Sequence, residues 1–211
     1  MNSIKPTPPI RLVCFAAPLP PEVKQGYFPA AEARVSVKNI EEILDYTNHF
    51  YAAEHIILAP DVHIDPPPLS AALAPLIEPA LHDRCHGLWH GQNLRSVPQE
   101  ALARYVREED FAPPEGETGH QFQARISSWL LQATLHGCTL VVARPPVVRA
   151  LAVHALGGQS TLTHHLDSEP ETATILTHHA GLWRVRQYGA RVCFLRHVET
   201  HDGARLKHNR I

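Results

Sequence analysis

The stretch TLVVARPPVVRALAVHALGG, residues 139–158, contains the pattern that decides the fold. An apolar run ends at Arg144, two prolines follow, and an apolar-rich segment continues to Gly157. Proline is favoured at the first position of a helix and glycine just beyond its end, so the stretch predicts a buried strand that turns directly into a helix. In α/β proteins ligands bind beyond the carboxyl ends of strands, which makes Arg144 the first candidate for a functional residue.

Strands and amphipathic helices alternate in the rest of the chain. Apolar runs at 11–17 and 55–59 predict two more buried strands. The apolar spacing after Ser36 predicts a helix with Ser36 as its N-cap, and Thr118 followed by Gln121 predicts a capping box at the start of another. This alternation predicts an α/β fold with a mostly parallel sheet that helices cover on both faces.

The remaining pattern predicts a helix over 98–108, a hairpin that turns near 178–181 and a strand over 191–195. A length of 211 residues allows one domain with a substantial core. We therefore expect a flexible N-terminus over 1–10, a single domain over 11–198 and a polar C-terminal tail over 199–211.

The composition argues against several function classes. The chain carries 19 basic and 21 acidic side chains, a net charge of −2 with histidine neutral, which offers no basic field to nucleic acid or to an anionic membrane. No apolar run approaches membrane-spanning length, and the first ten residues lack the apolar core of a signal peptide. Four cysteines without a C-x-x-C pair fit a reducing compartment, so we expect a cytoplasmic protein.

Four segments, in order, resemble the histidine phosphatase (phosphoglycerate-mutase-like) superfamily. These segments are RLVCFAAP, LHDRCHGLWHG, FAPPEGETGHQFQARISSWL and LVVARPPVVRALAVHALG. The early loop PLPPEVKQGYFP resembles the α-ribazole phosphatase branch more loosely. The resemblance implies a three-layer α/β/α sandwich whose strand ends converge on a phosphate pocket.

The catalytic residues that the resemblance implies do not carry over. The nucleophile turn of the superfamily, an arginine followed by a histidine, falls on Ala16 and Ala17, and its second histidine falls on Arg144. Its carboxylic acid falls on Asp83, and its second phosphate-binding arginine falls near His63. Because an alanine methyl group cannot attack phosphorus, the resemblance implies that ordinary phosphohistidine catalysis is lost.

Arg144 has two interpretations. Pro145 and Pro146 remove two backbone N–H donors from the helix N-terminus and so weaken an anion site there. The Arg144 guanidinium either holds an anionic ligand or fills the pocket by pairing with Asp83. We expect Asp83 to be an acidic partner before a general acid, and Arg149 to be an exposed or bridging helix residue.

Histidines are frequent in the segment before residue 91. His82, His86 and His90 recur every four residues, which on a helix would form a metal-binding stripe. Gly87 and Gly91 disfavour a helix, and the resemblance places the segment in a loop from which His90 can reach the pocket. We therefore expect no metal site and no cofactor.

Three functional hypotheses remain open. The first is a catalytically degenerate phosphatase-like protein that binds a small anionic ligand or a protein partner, with a homodimer as one arrangement. The residues expected to line its site are Ala16, Ala17, His63, Asp83, His90 and Arg144. The second is a repurposed enzyme, a lyase, isomerase or metal-assisted enzyme, that uses Asp83, Arg144 and either His63 or His90. The third is a weak residual phosphatase in which His63 and Arg144 bind phosphate and water attacks directly.

Overall fold

The computed structural model describes residues 9–192, which fold around a six-stranded sheet. The strands of this part of the chain are β1 (Ile10–Ala16), β2 (Val35–Val37), β3 (His55–Leu58), β4 (Val62–Ile64), β5 (Leu76–Ile77), β6 (Cys138–Ala143), β7 (Thr172–His179) and β8 (Leu182–Arg191). The order in the sheet is β5-β3-β6-β1-β7-β8, with the first four strands parallel and the last two antiparallel to their neighbours. The prediction of a mostly parallel sheet is confirmed.

Helices cover the sheet because its central strands are apolar on both faces. The helices are α1 (Pro21–Lys24), α2 (Ile40–Phe50), α3 (Gln99–Arg107), α4 (Gly119–Gln132) and α5 (Pro145–Ala155). Every residue of β6 is buried, as are the last five residues of β1. A strand buried on both faces needs a layer on each side of the sheet, so alternation of strands and helices gives an α/β fold.

The helix starts predicted at Thr118 and at the two prolines after Arg144 are confirmed. The Thr118 hydroxyl accepts a hydrogen bond from the Gln121 N–H at 3.0 Å, and the Gln121 side chain accepts one from the Thr118 N–H at 2.9 Å. Such a capping box satisfies two donors at the start of α4. At α5 the prolines occupy the first two helical positions and Arg144 is the N-cap.

The N-cap predicted at Ser36 is wrong. Ser36 lies in β2, which pairs in parallel with β4, and α2 begins at Ile40 after Asn39. Val35 and Val37 are buried in this small second sheet. Pairing with residues more than 25 positions later, which local spacing does not reveal, therefore overrides the helical signal.

The predicted hairpin is confirmed, with its turn at Ala180 and Gly181, both in the left-handed region at φ 53° and 76°. The strand predicted over 191–195 lies mostly outside the described residues, since β8 ends at Arg191. The polar tail predicted over 199–211 lies wholly outside them, and the flexible N-terminus predicted over 1–10 lies mostly outside. Across residues 9–192, no helix has the length and apolar character needed to span a membrane.

Residues 9–192 form two hydrophobic clusters, and side chains of both line a cleft. The main core joins the sheet to α2, α4 and α5. A smaller cluster, which we call the satellite cluster, is centred on the buried side chains of Phe28, Trp89 and Val97. The Phe28 ring lies 5.3 Å from that of Trp89 and 5.8 Å from that of Tyr105, centroid to centroid. These aromatic contacts hold the loops before α3 against that helix.

Candidate functional site

A cleft of about 730 Å³ opens beyond the carboxyl ends of β1 and β6. Phe28 of the satellite cluster and Tyr105, which packs against it, line the cleft, as do Phe122 of α4 and Arg149 of α5. Its volume lies in the range that small-molecule sites occupy. The cleft is therefore the place to look for the predicted site residues.

Arg144 lies at the floor of the cleft and is held by two carboxylates. Its Nε is 2.7 Å from Asp61 Oδ2, and its Nη1 is 3.7 Å from Asp83 Oδ2. The Nε contact is an ion pair without hydrogen-bond alignment, whereas Nη2 donates a hydrogen bond to the Ala33 carbonyl. The Arg144 side chain is only 3% exposed. We call Arg144, Asp61 and Asp83 the Arg144 cluster.

The Arg144 cluster contains more carboxylates than cations. Burial raises the pKa of Asp61, the Arg144 cation opposes that rise, and the neighbouring Asp83 charge adds to it. Burial likewise raises the pKa of Asp83 against the influence of Arg144. One guanidinium shared by two desolvated carboxyl groups cannot fully stabilise both as anions, which is why both pKa values rise. The positive charge of Arg144 is thus already compensated within the protein.

Unlike Arg144, Arg149 has no carboxylate partner within residues 9–192. It lines the cleft together with Pro146, which precedes it by three positions on the same face of α5. Its Nε is inaccessible and has no hydrogen-bond partner, and none of the ion pairs within residues 9–192 involves it. The sequence-based expectation of an exposed or bridging residue missed this placement. The three-residue spacing after Pro146 is the signal that could have found it.

Arg84 also lines the cleft, but its guanidinium has structural partners. Its Nε donates to the Glu117 carbonyl and its Nη2 to the Phe111 carbonyl, both at 2.9 Å. The guanidinium also lies 4.4 Å from the centroid of the Tyr105 ring. These contacts tie the segment that carries Asp83 to the residues before α4.

Arg125 of α4 fixes the same segment from behind. Its Nε and Nη2 bind the two carboxylate oxygens of Glu117 at 3.0 and 2.8 Å, a bidentate pair. Its Nη1 donates to the carbonyls of Ala80 at 2.6 Å and His82 at 3.1 Å. The backbone on which Asp83 is mounted is therefore held by charged hydrogen bonds.

His86 lies in the cleft wall as a neutral imidazole. Its Nδ1 lies 3.2 Å from the Tyr105 hydroxyl oxygen, within hydrogen-bond distance. Burial, with smaller contributions from the nearby His90 and Arg84, lowers the pKa of His86 to about 3. At neutral pH this histidine therefore adds an uncharged, partly apolar ring to the cleft.

The other three histidines named from the sequence, His63, His82 and His90, do not line the cleft. His90 Nδ1 lies 3.0 Å from the Pro29 carbonyl, and its Nε2 accepts a hydrogen bond from the His86 N–H at 3.2 Å, so both ring nitrogens serve the loop. His63 is exposed on β4. Of the residues proposed for a repurposed enzyme, the cleft brings together only Asp83 and Arg144. Within residues 9–192, no three His, Cys, Asp or Glu side chains are arranged to hold a metal ion.

Ala16 and Ala17 end β1 inside the protein. Both are fully buried, and the Ala17 N–H donates a hydrogen bond to the Ala143 carbonyl at 2.8 Å. Neither contributes to the lining of the cleft. The turn on which the resemblance places a nucleophile is here a closed backbone contact between two strands.

Ser160, His120 and Asp110 form a chain that resembles a nucleophile with its base. Ser160 Oγ lies 2.6 Å from His120 Nδ1, and His120 Nε2 lies 3.5 Å from Asp110 Oδ1. Ser160 is only 3% exposed and does not line the cleft, while the Asp110 side chain is 93% exposed. A substrate cannot reach this hydroxyl, so the chain joins α4 to the 3-10 helix Ser160–His165 rather than forming a catalytic site.

Comparisons with known proteins agree with this architecture. The sequence profile of the histidine phosphatase superfamily (branch 1) matches residues 69–191. No curated protein sequence matches the chain. The structure is similar to the alpha-ribazole phosphatase from Shigella flexneri, with 15% identity, a TM-score of 0.70, and 86% of this chain and 97% of that chain covered.

Two further structures are similar at the level of the fold. The mycobacterial glucosyl-3-phosphoglycerate phosphatase has 15% identity and a TM-score of 0.66, over 87% of this chain and 100% of its own. A mutant phosphoserine phosphatase from Entamoeba histolytica, in complex with phosphoserine, has 11% identity and a TM-score of 0.63, over 88% of this chain and 98% of its own. The predicted α/β/α sandwich of the phosphoglycerate-mutase-like type is confirmed, and because the profile matches more than half of its length, the chain belongs to the histidine phosphatase superfamily (branch 1).

Proposed function

We propose that this protein is a catalytically degenerate histidine phosphatase that binds a small anionic ligand in its cleft and does not form a phosphohistidine. The observation that carries the proposal is the end of β1, where Ala16 and Ala17 are fully buried. Neither methyl group can act as a nucleophile, and the hydrogen bond from Ala17 to Ala143 closes the backbone at this point.

The charges at the cleft floor also oppose phosphoryl transfer. A phosphoryl transition state spreads negative charge over its oxygens, so catalysis depends on positioned cations and donors that are free to meet it. Here the guanidinium of Arg144 is already held by Asp61 and Asp83. Pro145 and Pro146 supply no N–H at the start of α5, where a helix otherwise binds anions.

Ligand binding is supported because the cleft has a suitable size, apolar walls and a cation, Arg149, that forms no ion pair within residues 9–192. The Entamoeba histolytica structure offers a parallel: a phosphatase of this fold with a histidine-to-alanine mutation was obtained in complex with phosphoserine. In that protein, replacing a histidine by alanine left a site that still holds a ligand. The histidines His63 and His90 lie outside the cleft, so the repurposed-enzyme hypothesis gains no support from geometry.

Phosphate release from p-nitrophenyl phosphate and phosphoserine, measured at high protein concentration, tests the proposal. We expect no release above that given by a matched preparation of the Asp83→Asn variant. Asp83 is the matched control because it occupies the position of the family's acid and lines the cleft. Turnover that scales with wild-type protein and is lost in the Asp83→Asn variant would contradict the proposal.

A further inference from the structure

We infer that the ligand is a monoanion, a carboxylate carried on an apolar body, and that Arg149 rather than Arg144 binds its charge. The inference rests on the proposed anion-binding function of the cleft and adds the chemical class of the ligand.

The fold supplies no hydrogen-bond partner for the Nε of Arg149. Its Nε is inaccessible without a hydrogen-bond partner, and within residues 9–192 no carboxylate lies in ion-pair range. Buried polar and charged groups are nearly always partnered, because an unpartnered one costs its full desolvation. Because Arg149 faces an open cleft, a ligand can supply the partner that the fold lacks, and a carboxylate matches a guanidinium in bidentate geometry.

The cleft has no excess of positive charge. Its charged lining consists of Arg84, Arg144 and Arg149 against Asp83, Glu109 and Asp167. Asp61, paired with Arg144, adds a fourth carboxylate. A ligand with one negative charge therefore meets less repulsion here than a dianion would. A phosphate monoester carries close to two negative charges at neutral pH, and its second charge would face Asp83.

The cleft that Arg149 lines also presents exposed apolar side chains. Tyr27, Leu94 and Val106 line the cleft although 39%, 37% and 58% of their respective surfaces are exposed. Apolar side chains gathered on one concave surface indicate an apolar partner. An inorganic anion would leave them uncovered, so the anionic group belongs to a larger apolar molecule.

Isothermal calorimetry with three matched probes tests the inference on the full chain. The probes are 4-phenylbutyrate, the neutral 4-phenyl-1-butanol and the dianionic 4-phenylbutyl phosphate, each at pH 7.5. We expect the carboxylate to bind at least tenfold more tightly than either of the others. Arg149→Met should remove the advantage over the alcohol, and Arg149→Lys should restore part of it. Arg186→Met, an exposed arginine of β8 outside the cleft, is the matched control and should change nothing.

Melting temperatures separate binding from folding. Because Arg149 makes no contact with a carboxylate in the described fold, Arg149→Met should melt at or above the wild-type temperature while losing the carboxylate preference. Equal binding of carboxylate and alcohol, unchanged binding in Arg149→Met, or a failure of all three probes to bind at millimolar concentration would overturn the inference. Tighter binding of the phosphate ester without turnover would overturn the inference but leave the proposed function, whereas hydrolysis of the ester would contradict the proposed function.

Discussion

Two arginines near the start of α5, five residues apart, differ in whether carboxylates pair with their guanidinium groups. Arg144 is almost fully buried, with Asp61 and Asp83 on its guanidinium, whereas Arg149 faces the cleft without an ion pair in the described part of the chain. The difference comes from neighbouring elements: the carboxyl end of β3 leads into Asp61 beside Arg144, whereas no carboxylate of residues 9–192 lies within ion-pair range of Arg149. The arginine at the strand-to-helix turn therefore serves the fold, while the arginine one helical turn further on is available to a ligand.

The largest effect that separates the two arginines should be on stability. Arg144→Met leaves two desolvated carboxyl groups facing each other, so we expect a loss of about 3–5 kcal/mol of unfolding free energy at pH 7. Chemical denaturation followed by circular dichroism measures it. A loss below about 1 kcal/mol would contradict the description of the Arg144 cluster as a buried guanidinium paired with two carboxylates.

A triple variant sharpens that measurement. Asp61→Asn and Asp83→Asn combined with Arg144→Met remove all three charges, and much of the lost stability should return because no charge is left uncompensated. If the triple variant is as unstable as Arg144→Met alone, the cost comes from lost packing of the arginine stem rather than from charge.

The second effect is acid sensitivity from His86. Its pKa is lowered to about 3 in the folded protein, below the value near 6.5 expected after unfolding, so the unfolded chain binds a proton first as the pH falls. Linkage then removes about 2 kcal/mol of stability between pH 7.5 and pH 5. His86→Phe, which keeps an aromatic ring beside Phe28, should show a shallower loss over that interval. Parallel curves for the two proteins would contradict the buried, neutral state of His86.

A third and smaller effect, of opposite sign, is expected at Asp83. Burial raises its pKa, so its ionisation as the pH rises through that value costs stability that the fully protonated protein retains. Asp83→Asn should therefore be neutral or stabilising by up to about 1 kcal/mol at pH 7, and the difference should vanish at acid pH. Denaturation at pH 7 and pH 4 checks the sign. Strong destabilisation at pH 7 would mean that Arg144 needs both carboxylates.

The smallest effect should be that of Arg149→Met on folding. Replacing a guanidinium whose Nε has no partner removes a desolvation cost. We therefore expect the unfolding free energy to stay the same or to rise, by less than about 1 kcal/mol. The same denaturation experiment, with Arg186→Met as the reference, measures it. A loss comparable to that of Arg144→Met would erase the contrast between the two arginines.

The parts of the fold that depend on local signals were predictable from the sequence. The capping box at Thr118, the proline start of α5 and the turn near Gly181 each rest on residues a few positions apart. The parts that failed depend on distant pairing. Ser36 lies in a strand because β2 pairs with β4, and the local sequence does not indicate that pairing.

The candidate site was predictable only in part. Arg144 and Asp83 do line one cleft, but the closer partner of Arg144 is Asp61, which follows the neighbouring strand β3. The resemblance placed His63 near the position of a phosphate-binding arginine, whereas β4 holds this residue at the surface. Which side chains surround a guanidinium depends on the order of strands in the sheet, and a single sequence specifies that order only through the completed fold.

The satellite cluster gives the cleft a wall that can open without unfolding the sheet. Only three side chains, Phe28, Trp89 and Val97, are buried at its centre, while the main core extends through every central strand. Small cooperative units open at lower free energy than the global transition. The Phe28 amide, bonded to the Gln92 carbonyl, should therefore exchange its hydrogen with solvent well before the amides of β1 and β6. We expect a ligand to enter and leave through this local opening, so that its residence time depends on the packing of the satellite cluster rather than on the stability of the whole protein.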